Sequence, residues 1–409
     1  MRISSSQVFN SGIQRLQDSN VQQQKTQQQV ASGKKLLTPS DDPVAATRIL
    51  QLKQELTSSE QFKNNINLST NRLQRQDSVL SSMNEGLIRV RELTIQAGDG
   101  ALNMSDRKAL ATELRQVLDQ MASLANTRGP DGEYLYSGHK GQTQPFQQDS
   151  GGKWVYQGDE GRRSVEIDKG VSLAVTNNGK EAFVDVPSDR PTFSTRGSEA
   201  NSAQPPASIS TGMIIDREQF EDFYPDDLVV KFDRDASGNT VYSINSRDTG
   251  RELVSNAPYQ SGQPIAAAGM QFEVEGDPEA GDAFFVETSK KQGILTTVEK
   301  LIHGLENHQD NSAGRDALRD TIDQALANLD NGQNRALEIQ SSVGTRLNTL
   351  ESTGNFLGDS DLLTREVLSG LEDLDYAEAI SRLTQQTFVL QAAQQSFAQI
   401  SRLSLFDSL

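Results

Sequence analysis

The sequence predicts an α+β, multidomain fold: both ends of the chain form a long helical coiled-coil rod, and a central all-β region is inserted between them. Three observations carry this. Apolar residues recur every seven positions in each terminal third. Between about residues 128 and 290 that pattern gives way to glycine, aromatics and alternating residues, and near the start six glutamines crowd the ten residues 20–29.

The first long helix opens at "DDP", where Asp42 is placed to cap and Pro43 to supply a first helical residue with no N–H to satisfy. Leu52, Ile66, Leu73, Leu80 and Leu87 then follow at seven-residue steps, with Ser59 the one polar interruption. Ile49, Leu56, Phe62, Met83 and Val90 widen the stripe. A helix from Pro43 to about Ala97 rises ~1.5 Å per residue, a rod of roughly 80 Å. "GDGALNMSD" breaks it. Ser105 is expected to cap a second helix carrying Leu110, Leu114, Val117, Met121 and Leu124, packed antiparallel on the first. The other end repeats the design, with Ile322, Leu329, Ala336, Val343, Leu350 and Leu357 in one row and Leu318, Ala325 and Ile339 in another. Such heptads form a bundle seam.

Within the middle, "KWVYQ", "RSVEID", "VSLAV", "AFVDV", "MQFEVEG" and "DAFFVETS" read as strands, and "DLVVKFDRDASGNTVYSIN" as a hairpin. Residues 196–211, with "SEANSAQPPASIS", read as a flexible connection splitting the β region into two halves. The predicted domains are terminal helices at 1–43 and 365–409, a helical rod at 44–130 and 290–364, and an exposed β-rich domain at 131–289.

The 409 residues suffice for two or three domains, yet only 34% are hydrophobic and 6% aromatic. With a mean hydropathy of -0.58, this composition fits an elongated, surface-rich chain with segments that order on meeting a partner. The formal net charge is -17 and no dense Lys/Arg block interrupts it, which argues against nucleic acid or an anionic membrane as partner. Cysteine is absent, excluding disulfides, thiolate metal sites and cysteine nucleophiles. No apolar run nears the roughly 18 residues of a membrane span, and "MRISSSQVFNSG" lacks the apolar stretch of a secretory signal. The expectation is a cytoplasmic chain, or one that leaves by a route reading something else.

Catalytic patterns are not found. His139, His303 and His308 have no metal-ligand spacing, and the last two are expected on a wet helix face or a frayed end. "DRDASG" from Asp233 resembles half a calcium loop, but its twelfth position is Ile244, so a hairpin turn is the better account. No phosphate loop, nucleophile elbow or dinucleotide fingerprint occurs, and neither cofactor nor metal is expected.

Three stretches carry a resemblance. "VASGKKLLTPSDDPVAATRI" is similar to the N-terminal signature of the flagellin superfamily, and "LSGLEDLDYAEAISRLTQQTFVLQAAQQSFAQISRLSLFDSL" resembles its C-terminal helix. "ANTRGPDGEYLYSGHKGQTQPF" resembles the rod exit of the family of the second hook-filament junction protein, through Asn126, Gly132, Tyr134, Leu135, Tyr136, Gly138, Pro145 and Phe146. Ordinary flagellins do not usually carry that segment. "AGDAFFVETS" resembles the strand returning to the rod, and the β region is larger than that family's minimum.

The resemblance implies a flagellin-like structural subunit that is not an enzyme. It implies a ring of identical copies at the hook-filament junction, outside the cell, after export of the unfolded chain by the flagellar type III system. The implied partners are the first hook-filament junction protein on the hook side, flagellin on the filament side, and a cytoplasmic export chaperone that grips the C-terminal helix. Leu383, Leu390, Phe397 and Ile400 are the residues implied for axial assembly and chaperone binding. Polar helices with so thin a seam cannot alone offset the entropy of ordering them, so the ends are expected to be disordered in the monomer and to fold on assembly. Two alternatives stand beside this: a filament flagellin, and a surface adhesin acting through the β domain.

Overall fold

The computed structural model describes residues 5–100 and 102–406, and these form two compact units. The first comprises the described residues up to Asn64 together with those from Ser352 onward; the second is Asn65–Glu351. Seven α-helices and thirteen strands are present among the described residues.

In the first unit, helix α1 (Ser5–Ser32) pairs with α7 (Tyr376–Phe406). Gly33 ends α1 with a left-handed φ of 69°, its N–H reaching the Gln29 carbonyl at 2.9 Å, a conformation glycine adopts without a Cβ penalty. The chain restarts as α2 (Pro43–Ala97), whose free amides at Val44 and Ala45 donate to the Asp42 carboxylate at 3.1 and 3.0 Å. Opposite lies the end of α6 (Ser312–Glu372), tied to α2 by Lys53 to Glu372 at 2.8 Å and Lys63 to Asp361 at 2.6 Å. The two connecting loops pair as well: Lys35 N–H donates to the Glu372 carbonyl at 2.8 Å and Leu374 N–H to the Gly33 carbonyl at 3.0 Å. Asp375 then caps α7 through the amides of Ala377 and Glu378.

In the second unit, α2 packs against α3 (Met104–Ala125) and α6. Gly86 lies against Met121, and a Cβ there would come within 3.0 Å of the methionine side chain. Asp77 meets Gln340 and Arg91 meets Asp330, so α2 and α6 run antiparallel. Asn103, not Ser105, caps α3: its carboxamide oxygen accepts from the Ser105 and Asp106 amides, and the Asp106 carboxylate accepts in return from the Asn103 amide, a capping box that starts two residues earlier than the hydroxyl suggested. Leu110, Leu114, Leu118 and Met121 are buried, whereas Val117 and Leu124 are half-buried.

The β region begins with two hairpins, β1 (Phe146–Gln148) with β2 (Trp154–Tyr156) and β3 (Ser164–Asp168) with β4 (Val171–Ala174). "AFVDV" is not a strand. Its first three residues fall in a π-helical turn, Lys180–Val184, started by Asn178, whose side chain accepts from Glu181 N–H at 2.8 Å, and held where Arg335 donates to the Glu181 carbonyl. Ala182, Phe183 and Val186 are the buried residues, at spacings of one and three, a helical and not an alternating pattern.

Beyond it lie β5 (Pro187–Gly197), β6 (Ser208–Ile209), β7 (Met213–Ile214), helix α4 (Arg217–Phe223), β8 (Leu228–Arg234), β9 (Thr240–Ser246), β10 (Glu252–Pro258), β11 (Pro264–Ala267), β12 (Met270–Glu275) and β13 (Ala283–Lys291). An antiparallel sheet in the order β10-β9-β8-β13-β5 shares one core with a smaller sheet, β11-β12-β6, in which β7 also pairs with β12. Phe193, Phe220, Phe232, Phe272 and Phe284 fill that core. The predicted hairpin is β8–β9, with Arg234 opposite Thr240 and Asp235 accepting from the Ser237 and Asn239 amides in the turn. Residues 196–211 are not a loose connection. Asp282 accepts from the Ser202 amide, Asn201 accepts from the Ala283 amide, and Ala203, Ala207 and Ile209 are buried, so side-chain bonds replace the regular pairing that the composition lacks.

Helix α5 (Ile294–Asn307) returns the chain to α3. His308 is buried at 4% exposure instead of lying on a wet face, with Arg107 of α3 donating to its carbonyl at 3.2 Å and Thr321 of α6 at its ring. Burial, with His303 and Arg107 nearby, lowers its pKa to about 4, so the ring sits neutral in the fold.

Candidate assembly surface and rod exit

Where α3 ends, Asn126 turns the chain into the β region. Its side chain behaves like a piece of strand: Nδ2 donates to the Phe146 carbonyl and Oδ1 accepts from the Phe146 amide, both at 2.9 Å. Twenty residues are thereby closed into a loop whose ends are pinned by one carboxamide. A carboxylate could supply only the acceptor, and a hydroxyl could not span both groups.

Inside that loop the signature residues divide by task. Gly132 and Gly138 take φ of 79° and 74°. At Gly138 a Cβ would also strike Asp159, whose carboxylate accepts from the amides of His139, Lys140 and Gly161. Those amide bonds, led by His139, hold the Asp159 pKa below the usual carboxylate range. Tyr134 lies under the Arg128 guanidinium at 4.4 Å. Leu135, Tyr136, Pro145 and Phe146 are buried, with the Tyr136 ring edge-on to Phe183 at 4.8 Å and Phe146 against Tyr156 at 5.3 Å. Burial raises the Tyr136 hydroxyl well above its ordinary pKa.

Arg72 of α2 is a residue that pattern reading passes over. It is 6% exposed, pairs with Asp131 and donates to the Tyr134 carbonyl, fastening the exit loop to the helix. Its sequence signal is a cation beside Leu73, within a row of buried polar residues that includes Ser69 and Gln76. Glu299 and Lys300 were missed as well. Glu299 accepts from the Trp154 amide at 2.7 Å, while Lys300 Nζ donates to the Thr192 hydroxyl and the Phe193 carbonyl, so adjacent residues of α5 hold β2 and β5. Burial pushes the Glu299 carboxyl up to about 7 and the Lys300 ammonium down to about 7.

Leu52, Ile66, Leu73, Leu80, Leu87, Ile322, Leu329, Val343 and Leu350 are all buried, none more than 6% exposed. The α1–α7 pair is built differently. Leu383, Leu390 and Phe397 are half-buried, Phe397 lying against Gly12, and Gln23 Nε2 donates to the Thr387 hydroxyl at 3.0 Å. The side chain of Ile400 lies outside the described residues. Val21, Ile380, Phe388 and Val389 project outward at 64%, 51%, 72% and 48% exposure. The loop between α1 and α2 is ordered by Asp41, which accepts from the Leu37 and Thr38 amides and from Lys25 Nζ, and Lys25 first among these lowers its pKa to about 2. Among the described residues there is no cluster of potential metal ligands and no helix long and apolar enough to cross a membrane.

The bacterial flagellin N-terminal helical region matches residues 3–141, and the bacterial flagellin C-terminal helical region matches residues 320–409. The chain is similar to flagellar hook-associated protein 3 of Salmonella typhimurium, 23% identical over 407 residues that cover 100% of this chain and 99% of that one. A crystal structure of flagellar hook-associated protein 3 from Legionella pneumophila is 32% identical, with a TM-score of 0.54 over 79% of this chain and 98% of that one. Similarity to the flagellin of Listeria monocytogenes, 28% identical over 112 residues, takes in 27% of this chain. The hook-associated similarity extends over the β region, since it covers the whole chain, whereas the flagellin similarity covers about a quarter of it.

Proposed function

We propose, because the chain belongs to the flagellin-like family of hook-associated protein 3, that several copies form a ring joining hook to filament, with no active site. As a flagellar junction protein it needs surfaces for copies of itself, and the outward apolar side chains of α1 and α7 supply them. That observation carries the reading. Phe388 at 72% exposure has no reason to face water on a helix already paired, whereas burial among neighbouring copies returns about 1.5–3 kcal/mol for such a side chain. The glutamines of α1 fit the same setting, since carboxamides can bond between helices as Gln23 does with Thr387.

In this reading the ring meets the first hook-filament junction protein on one side and flagellin on the other, outside the cell. The chain reaches that place unfolded through the flagellar type III route, with a cytoplasmic chaperone holding the C-terminal helix beforehand. The filament-flagellin alternative is disfavoured by the Asn126–Phe146 clamp and by the extent of the hook-associated similarity. Electron microscopy of cells lacking the protein, with flagellin assayed in the medium, tests the reading. Bare hooks with shed flagellin are expected; hooks still bearing filaments would overturn it.

A further inference from the structure

The first unit holds an open groove of about 540 Å³, with Leu36, Leu37, Pro39, Pro43, Ile49 and Leu50 supplying its apolar wall. Leu50 is 68% exposed. On α6 of the same unit, Phe356, Leu363 and Val367 are 62%, 64% and 42% exposed. At 3.6 residues per turn these three fall within about 40° of one another, an apolar ridge along one face, with Asp359 and Ser360 on the turn between Phe356 and Leu363.

We propose that the groove receives this α6 ridge from a second copy of the chain, in a head-to-tail contact; the proposal rests on the self-assembly reading above and gives that assembly one of its joints. A chain cannot seat its own ridge. Leu357 and Thr364, which are buried in the unit's seam, lie on α6 between the ridge and the side that presents Glu372 to the groove. Charge selects the occupant. The chain is strongly acidic, but residues 34–53 around the groove hold four cations (Lys34, Lys35, Arg48, Lys53) against two acids; Glu372 in the groove wall pairs with Lys34 and Lys53 at 2.7 and 2.8 Å, so exposed Lys35 and Arg48 carry the attraction for an acidic segment. Residues 356–370 around the ridge hold three acids against one cation, Arg365; Asp361 is taken by Lys63 at 2.6 Å, which leaves Asp359 and Glu366 to rim the ridge. Apolar ridge and groove are thus each rimmed by the charge the other lacks. Because the two patches differ, the contact is heterologous and propagates from copy to copy, closing into a ring or continuing as a helix.

The chain has no cysteine, so single thiols report the contact without background. Full-length Leu50→Cys and Leu363→Cys proteins, one carrying an affinity tag, are mixed at a concentration where light scattering shows self-association, then oxidised mildly. Both positions are exposed, so neither change opens the core. The mixed 50–363 disulfide should exceed either same-residue disulfide by about fivefold, as a contact between unlike patches requires. Its yield should fall in high salt. Predominant 50–50 or 363–363 bridges, or no bridge in a sample that self-associates, overturn the ridge-and-groove contact while leaving assembly intact. Failure of the unsubstituted chain to self-associate at any concentration removes the assembly reading and this contact with it.

Discussion

The two units contain helices of comparable length and differ in what covers them. In the second, Leu73, Leu80, Met83 and Val90 of α2 are fully buried, and ionisable groups such as Glu299, Lys300 and His308 are taken from water and used as fasteners. In the first, the α1–α7 seam consists of half-buried Leu383, Leu390 and Phe397, and large apolar side chains point outward. The second unit also leaves Leu68 and Ile95 exposed, but around a closed core; a helix pair whose seam itself is only half-buried reserves part of its stability for partners. Three measurements bear on that contrast.

The largest effect concerns the terminal helices. Circular dichroism of the dilute monomer should show less helix than the structure holds, with α1 and α7 the missing share, and the signal should rise on assembly. Full helicity in dilute solution would mean that these ends need no partner. Next in size is a pair of truncations. Leu80→Ala in the second unit should cost about 2–5 kcal/mol in urea unfolding, through lost transfer energy and a cavity. Phe388→Ala, at an exposed position, should stay within about 0.5 kcal/mol in the monomer yet weaken assembly. Equal costs would erase the distinction between the units.

The smallest effect is pH-dependent. Burial raises the folded pKa of Glu299 to about 7, above the 4.5 of a free glutamate, so the contribution of this residue to stability is fully present below about 4.5 and is lost as pH rises through 7. Glu299→Gln can still accept from the Trp154 amide and does not titrate. It should flatten the fall in stability between pH 5 and 8 by about 1–3 kcal/mol, read from denaturation midpoints at both pH values. Parallel curves for the two proteins would show that Glu299 keeps its charge in the fold at little cost.

Much of the helical architecture was legible because its causes are local. Asp42 before Pro43 starts α2 where the acidic pair suggested, and the β8–β9 hairpin turns at "DASGN", since capping and turn chemistry involve residues a few positions apart. The errors arose where distant partners decide. "AFVDV" has the apolar content of a strand, but Arg335, 154 positions away, holds the Glu181 carbonyl of a π-helical turn that Asn178 starts locally, and Phe183 and Val186 are buried at helical spacing. Residues 196–211 have the composition of a linker and are packed because Asp282 and Ala283 bond to Ser202 and Asn201. Of the rod exit, the residues were legible and their tasks were not. Nothing local says that the Asn126 side chain closes on Phe146, or that Arg72 reaches Asp131 across 59 positions.

The order of elements, the heptad rows, the lack of cysteine and the acidic charge follow from the sequence by itself, since periodicity and composition are properties of neighbours along a chain. Only the tertiary structure decided which polar groups are buried as fasteners and which apolar ones stay in water. Burial depends on what the rest of the chain brings alongside, and for Glu299 or Phe388 that is set by residues far off in sequence.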